Sequence, residues 1–541
     1  MGRPGARNTD DLSEKQYIAN LNLKVPFKIS DRLSGSLKFG GMYRQKTRKR
    51  DYNTYSYGGP PFHKLISGIQ TTPDGIDWTI PWVNLNERNA VSMENMVGGR
   101  VDEFLGGKYN FGWYPDIGKM NQIFDWWLGA ISHYQAQGRE YISPEQPGWQ
   151  SVFGQERMMG WIDPRPSVQN DNTIDENYYA GYLMTEFQIG NKITFIPGVR
   201  YENTNYDMEA WFVERRIDDA LEIPGYEQEA TRENEFLLPM VHLKYKAFDW
   251  LQIRGAYTKT IFRPNYNWIV PYEFVDNALR PFKYDAGVPD LKVEQWNNID
   301  LMIAFHSQKL GLLSFNGFYK TVDNKIWRRT WTRIVSDDPL DRFAPEHEVD
   351  VTSYYNNDYE TVVRGFEVEW QTNFRHLPKP FNYFTLTTNY SYINNETVYP
   401  DSRVELIEVG VSSRGRPIYE KQRSDSTFKG PMTNQPSHLA NVSLGFSYGG
   451  LEIWGSYQYI GETNVSRAVQ IERDRFKSAF SRYGIQGKYE LPFKNLPGMD
   501  VIFNVANINN MLEQEYLRGD SRPVSLQQYG WTSDLGIRYS F

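Results

Sequence analysis

The chain has 541 residues, no cysteine, and a net charge of −7 from 59 basic and 66 acidic side chains. The lack of cysteine excludes disulfides, thiolate metal sites and cysteine nucleophiles, and the near balance of charge excludes a general preference for nucleic acid. No stretch approaches the roughly 18–20 apolar residues of a membrane helix, yet aromatic residues make up 15% of the chain.

Apolar and polar residues alternate with a period of two along much of the chain. In "HLANVSLGFSY", for example, Val442 and Leu444 alternate with Asn441 and Ser443. Such alternation predicts strands with one apolar and one polar face. The segments with this pattern, most of them longer than strands in soluble sheets, are in chain order 16–28, 32–46, 177–190, 193–207, 235–247, 250–262, 294–307, 310–323, 360–374, 382–396, 436–448, 450–463, 474–491, 499–510 and 528–541.

The connections between these segments alternate strictly between short and long. The short ones lie at 30–31, 190–191, 248–249, 308–309, 376–380, 449–450 and 492–498, and the long ones at 47–176, 208–234, 263–293, 324–359, 397–435, 464–473 and 511–527. Tight periplasmic turns and long extracellular loops produce this parity, and aromatic-ended apolar faces are typical of the same class of protein. The sequence therefore predicts an all-β fold, an antiparallel transmembrane β-barrel. A large soluble all-β protein is the alternative.

Several segments also resemble a known family. "FIPGVRYENTNY" (195–206), "FRPNYNWIVPY" with "VPDLKVEQWNNIDLMI" (262–303), "FNGFYKTVDNKI" (315–326), "VIFNVANINNMLEQEY" and the terminal "LGIRYSF" look like the barrel of TonB-dependent outer-membrane receptors. The resemblance covers nearly the whole chain, and its style is most similar to receptors of Bacteroidetes-type bacteria. Neither a plug domain nor a TonB box is found ahead of residue 16, which departs from the family pattern.

The resemblance implies a fold and a function. The fold would be a 22-stranded barrel in the cell outer membrane, with about fifteen strands present here and the plug absent. The function would be energised uptake of a scarce, bulky nutrient (a siderophore–iron chelate, a cobalamin or an oligosaccharide) driven by the TonB–ExbB–ExbD complex. A structural or adhesive barrel that moves no solute is the alternative.

An enzyme is not expected, because no GxSxG motif, phosphate-binding glycine loop or catalytic triad is found, and the seven scattered histidines form no metal site. No cofactor is expected either.

The loop 47–176 is the predicted ligand-binding element. Its aromatic rings could stack on the face of a sugar or chelate, or they could form a small core of the loop itself. Residues 117–138 have helical spacing of apolar side chains. The candidate ligand-binding residues are Trp113, Tyr114, Trp126, Trp127 and Trp149.

Three further groups of residues have predicted roles. The basic stretch "RQKTRKR", at the top of strand 32–46, would contact lipopolysaccharide phosphates or be a solvated loop base; its cations are Arg44, Lys46, Arg48, Lys49 and Arg50. Charges on polar strand faces would hold the plug in the lumen: Arg200, Arg254, Glu367, Glu369, Lys488 and Arg538. The last strand resembles the signal that the barrel assembly machinery reads, through Leu535, Ile537, Tyr539 and Phe541 next to outer-membrane lipid.

Parity also predicts the environment of the chain ends. Because strand 528–541 descends to the periplasm, counting back through the strands makes segment 16–28 descend as well, which places residues 1–15 outside the cell in an extracellular loop. The expectation is that 16–28 and 528–541 are unpaired edges of an open sheet, with the preceding strands missing.

Overall fold

The computed structural model describes residues 6–56, 97–101, 112–122, 125, 161–162, 170–215, 225–276, 281–334, 348–468, 471–492 and 498–540. The strands in these residues are β1 Ala6–Ser30, β2 Leu33–Ser56, β3 Val97–Val101, β4 Gly112–Pro115, β5 Trp161–Ile162, β6 Asn172–Ile189, β7 Ile193–Arg215, β8 Gly225–Phe248, β9 Leu251–Phe262, β10 Glu273–Asp276, β11 Phe282–Ala286, β12 Glu294–Ser307, β13 Gly311–Asp323, β14 Ile326–Ile334, β15 Glu348–Asn356, β16 Thr361–Asn373, β17 Phe384–Val411, β18 Pro417–Gly430, β19 His438–Tyr448, β20 Leu451–Ile460, β21 Thr463–Ser466, β22 Arg475–Lys477, β23 Phe480–Glu490, β24 Met499–Ala506, β25 Leu512–Leu517, β26 Asp520–Gln528 and β27 Thr532–Tyr539.

A wall of antiparallel strands forms the main sheet. Neighbours in the wall follow chain order, β1-β2-β6-β7-β8-β9-β12-β13-β16-β17-β19-β20-β23-β24-β27. Each predicted segment coincides with one of these strands. Within the described residues β1 pairs only with β2, β27 pairs only with β24, and no ladder joins β1 to β27.

One face of the wall is apolar from the first strand to the last. Phe39, Leu183 and Val199 lie opposite one another on β2, β6 and β7, and all three are exposed. The register carries this face to Leu535 on β27, and its two shifts, at Lys28/Ser30 and Lys246/Phe248, lie beside short turns. A one-residue slip would exchange the two faces, so this register keeps the exposed apolar band on one side of the wall.

Aromatic residues mark the two borders of the apolar face. Near the short turns, Phe187 lies between Phe27 and Phe195, with ring centroids 5.8 and 6.3 Å apart. Towards the long connections, the rings of Tyr43 and Tyr179 are 5.0 Å apart, and the Tyr43 hydroxyl donates to Asn177 Oδ1 at 3.2 Å. Aromatic girdles around an apolar band are characteristic of transmembrane barrels, with the polar ends of the rings in the interface.

The strands run further than the sequence predicted. Residues 6–15 were expected in an extracellular loop but belong to β1, which pairs with β2 up to Ser56. The predicted loop 397–435 is largely the β17–β18 ribbon. In residues 6–15 both faces are largely polar, so period-two apolar alternation, the signal used to find strands, disappears although the backbone ladder continues. The β17–β18 ribbon does carry exposed apolar side chains, but Leu406 is followed directly by Ile407, which interrupts the alternation.

Other predicted loops also contain small sheets. The ribbon β14–β15 carries β11 beside β15, β21, β22, β25 and β26 form a separate sheet, and β3 pairs with β4. Of the predicted helix 117–138, residues 117–122 and 125 are helical, and the rest lies outside the described residues. In the part of the chain that the structure describes, no helix is both long and apolar enough to cross a membrane.

Candidate functional site

The connection between β9 and β12 folds onto the polar face of the wall. We name its described residues, 263–276 and 281–293, the inner loop. It contains a one-turn helix, Tyr266–Ile269, and it shares a buried apolar cluster with β6, β7 and β14. The buried members of the cluster are Ile174, Tyr206, Met208, Ala210, Ile269, Val270, Leu291 and Ile326. The polar face therefore has a small hydrophobic core of its own at the end with the long connections.

Backbone pairing holds the inner loop in place as well. Its strand β10 lies parallel to the end of β7, with Glu273 opposite Phe212, and pairs on its other side with β11. A second buried cluster packs around these strands: Phe212, Val275, Phe282, Val349 and Val351. The inner loop is thus an ordered part of the wall.

Two buried carboxylates bind the inner loop to the wall. Glu176 of β6, whose side chain is 2% exposed, forms an ion pair with Arg44 of β2 and accepts a hydrogen bond from the Tyr266 hydroxyl at 2.5 Å. Glu202 of β7 accepts from Arg200 and from Arg263 of the inner loop, both at 2.5 Å. Buried carboxylates need such paired, charge-assisted partners. Each one joins a wall cation to a side chain of the inner loop.

Two tyrosine rings lie among the cations of this network. The guanidinium carbons of Arg44 and Arg263 are 4.9 and 5.4 Å from the ring centroid of Tyr178, and Arg48 lies 5.1 Å from that of Tyr266, all within cation–π distance. Burial, and then the hydrogen bond to Glu176, raise the pKa of the Tyr266 hydroxyl well above its ordinary value. It therefore stays protonated and acts as a donor.

The basic stretch Arg44–Arg50 lies within β2, which continues to Ser56. Its alternate cations share the polar face with Glu176: Arg44, Lys46, Arg48 and Arg50. Lys46 Nζ lies 3.0 Å from Glu14, and Arg50 binds both carboxylate oxygens of Asp10 at 2.8 and 2.9 Å. These four face away from the apolar side: Arg44, Lys46 and Arg50 pair with strand carboxylates, and Arg48 lies over the Tyr266 ring. Their contact with lipopolysaccharide stays a prediction. Lys49 lies exposed on the opposite face, where the contact stays a prediction.

A cavity of about 1010 Å³ lies on the polar face below the network. Its lining includes three of the predicted plug-facing residues, Arg254, Glu367 and Glu369. Sequence reasoning missed His242 and Lys244, which lie beside Arg254 in the same lining. The cations lie on β8 and β9 and the two glutamates on β16, so the cavity has a positive side and a negative side.

The other three predicted plug-facing residues also lie on the polar face. Arg200 belongs to the Glu202 network, Lys488 Nζ is 3.7 Å from Glu452, and Arg538 donates to Asp500 at 2.6 and 3.1 Å. Period-two alternation was therefore sufficient to assign the face of all six residues. Their contact with a plug stays a prediction.

The structure describes only some residues of the other predicted sites. Trp113 and Tyr114 are exposed on β4, with the guanidinium of Arg100 5.4 Å from a Trp113 ring, while Trp126, Trp127 and Trp149 lie outside the described residues. Leu535, Ile537 and Tyr539 are exposed on the apolar face, and Phe541 lies outside the described residues. No group of three histidine or carboxylate side chains arranged for a metal ion occurs in the described part.

The fold is shared with solved outer-membrane receptors. The ferric-catecholate import receptor Fiu from E. coli K12, in its closed form, superposes with a TM-score of 0.52 at 11% identity, covering 98% of this chain and 55% of that one. The hemophore receptor HasR of Serratia marcescens, solved as a double mutant with its hemophore HasA and heme, gives the same TM-score and identity, covering 98% and 60%. The chain thus spans little more than half the length of these receptors.

A search of curated proteins finds no match to this sequence. The family model described as "TonB dependent receptor-like, beta-barrel" matches residues 2–511. Members of this family are receptors and transporters of the outer membrane and not enzymes. The unbroken apolar face, its aromatic borders and the polar face behind it fit that family physically. The chain belongs to the β-barrel family of the TonB-dependent receptors.

Proposed function

We propose that the protein is the barrel part of an outer-membrane transporter that takes up a scarce, bulky nutrient with energy delivered through TonB. The observation that carries this proposal is the division of the whole wall into an apolar face, compatible with lipid, and a polar face that holds a cavity of about 1010 Å³. A protein that only adheres to surfaces needs the first face but has no use for a cavity behind it that carries charges of both signs among apolar side chains such as Met184 and Met302.

The proposed route runs from the outer loops to the cavity. Aromatic residues of the loop 47–176 capture the ligand, and it then passes the inner loop and the charged lining around Arg254 and Glu367. A plug, held by the polar-face charges, would close this route until the TonB–ExbB–ExbD complex pulls on it. The barrel assembly machinery would insert the protein by reading Leu535, Ile537 and Tyr539, which are exposed at an edge strand.

The proposed class of transported ligand rests on the family and on the chemistry of the site. The similar solved receptors bear the names of a ferric-catecholate importer and a hemophore receptor with heme, so an iron chelate is the first candidate, with a cobalamin or an oligosaccharide as the others. Each presents flat apolar surface for ring stacking and polar groups for the lining.

Replacing Trp113, Trp126 and Trp127 together by alanine is expected to reduce uptake severalfold while leaving the amount of protein in the outer membrane unchanged. Stacking rings supply binding area without holding the wall together, and Trp113 is 64% exposed. The measurement is cellular uptake of a labelled ferric catecholate, cobalamin or oligosaccharide by the full-length receptor, alongside membrane abundance.

The matched control for this prediction is an exposed aromatic residue outside the loop, Tyr359→Ala, which should alter neither quantity. Loss of the triple variant from the membrane, with surviving copies transporting normally, would show that the rings form a core of the loop. Absence of uptake for all three probes by the unmodified receptor would count against transport of these classes.

A further inference from the structure

The outer half of β8 has an open backbone edge. One side of β8 pairs with β7 over its whole length, from Gly225 to Tyr245. The ladder on the other side, to β9, begins only at Met240, next to Pro239, which has no N–H to donate. For residues 225–238 the described part of the chain contains no backbone partner on that side. In an antiparallel ladder every second residue directs its N–H and C=O to a given edge, so a row of donors and acceptors is open.

This edge lacks three of the usual protections against pairing, and its charges are mainly acidic. Exposed edges are normally blocked by proline, by charged side chains, especially lysine, or by a β-bulge. The stretch "GYEQEATRENEFLL" contains neither proline nor lysine, and its ladder with β7 has no bulge. The backbone there is regular and extended, which is the form that an added strand requires.

Side chains along the edge give it a charge pattern. Four glutamates point to the same face at alternate positions and are exposed: Glu227, Glu229, Glu233 and Glu235. Asn203 donates to Glu233 and Glu235 at 2.8 and 3.2 Å, so β7 fixes part of this row. An added strand would place its own side chains about 4.5–5.5 Å from these carboxylates. Lysine or arginine at every second position would match them.

Space for a strand lies next to the edge. A cleft of about 520 Å³ is lined by consecutive residues from Thr231 to Phe236. Across from them it is lined by the inner loop, the start of β12 and the residue after β13: Pro289, Asp290, Lys292, Val293, Gln295 and Asn324. Because residues of both faces of β8 contribute, the cleft lies at the edge of the strand and not above one face. The Arg232 guanidinium donates to the Pro289 carbonyl at 3.3 Å, which bounds the cleft on the polar side.

We propose that the open edge of β8 is a docking site for an extended basic segment of a partner protein outside the cell, which adds as a strand beside residues 225–238. The charges select this occupant over a second copy of the same chain, since two copies would place the glutamate rows against each other, and like charges directly opposite are destabilising. This interaction surface is separate from the uptake route, because the glutamate row lies on the face opposite the cavity.

The test uses the full-length receptor and a synthetic peptide of the length of the open edge, with lysine at every second position. Binding is followed by fluorescence anisotropy at low salt. Methylation of the peptide's edge-facing backbone nitrogens is expected to abolish binding, and glutamate in place of lysine likewise. Glu229→Gln combined with Glu233→Gln should weaken binding roughly fivefold, the range for two exposed ion pairs.

Crosslinking locates the bound peptide. Since residues 1–541 contain no cysteine, Thr231→Cys in a receptor with any other cysteine replaced by serine provides a single thiol at the middle of the edge, and a peptide with one central cysteine should form a disulfide with it. Asn205→Cys is the control, because Asn205 lies on β7 between two paired neighbours.

Equal crosslinking of both variants, or undiminished binding of the methylated peptide, would show only non-specific adhesion to an acidic surface. No binding of the lysine peptide would show that a segment of this chain already covers the edge. Each of these results overturns the proposal.

Discussion

Replacing Leu444 by arginine is expected to destabilise the folded, membrane-inserted protein by about 2–4 kcal/mol, the cost of a cation near the middle of the lipid-facing band. Leu444 lies on the apolar face of β19, opposite Leu386 and Gly455 on the neighbouring strands, and it is 45% exposed. The measurement is a folding titration in denaturant with lipid vesicles.

Ser443→Arg is the matched control for this substitution. Ser443 precedes Leu444 on the same strand but faces the polar side, beside Ser456, where water can solvate the guanidinium. Its cost should be well under half of that at Leu444. Equal losses at the two positions would mean that the assigned faces are wrong.

Replacing Glu176 by alanine is expected to cost about 3 kcal/mol, because it leaves Arg44 in a largely buried site without its carboxylate and removes the acceptor of the Tyr266 hydroxyl. The inner loop should lose its ordered structure first, because Glu176 joins it to the wall. We expect faster proteolytic cleavage between residues 263 and 293, together with a lower midpoint of denaturant unfolding.

Two further variants distinguish the loss of this buried ion pair from a general effect of removing a carboxylate. Glu209→Gln removes an exposed carboxylate from the outer half of β7 and should change the stability by less than about 0.5 kcal/mol. Glu176→Leu combined with Arg44→Met replaces both charges and should recover much of the loss, as replaced buried ion pairs often do. Failure of the double variant to recover would assign the loss to packing of the cluster.

The wall could be predicted from the sequence because lipid imposes one requirement on every strand. Each outward residue between the girdles must be apolar, so pairs such as Val442 and Ser443 identify the two faces locally. Where the strands leave the lipid this requirement ends. Residues 6–15 of β1 form a strand through a ladder to the far end of β2, and no local pattern reports a ladder to a distant partner. The Arg403–Val411 part of β17 belongs to a hairpin with β18, which was missed because Leu406 and Ile407 are adjacent and interrupt the two-residue alternation.

Part of the candidate site could likewise be predicted from the sequence, and part could not. The faces of Arg254 and Glu367 followed from alternation alone, whereas the network around Glu176 joins residues more than a hundred positions apart, such as Arg44 and Glu176. The basic stretch, five cations in seven residues, was treated as one patch. Continuing the two-residue alternation through it would have separated Lys49 from Arg48 and Arg50.

The distance between the two aromatic borders sets the bilayer thickness that fits the protein without hydrophobic mismatch. On β6, Tyr179 and Phe187 are eight residues apart, which is about 27 Å along a strand and about 21 Å across the membrane at a tilt of about 40°. That is well below the about 30 Å of an average hydrocarbon core and closer to the thin bacterial outer membrane. Lipids with short acyl chains should therefore match the protein best, and longer chains would have to thin around it or leave its tyrosines submerged in hydrocarbon, so hydrophobic mismatch alone would favour one cellular membrane over thicker ones.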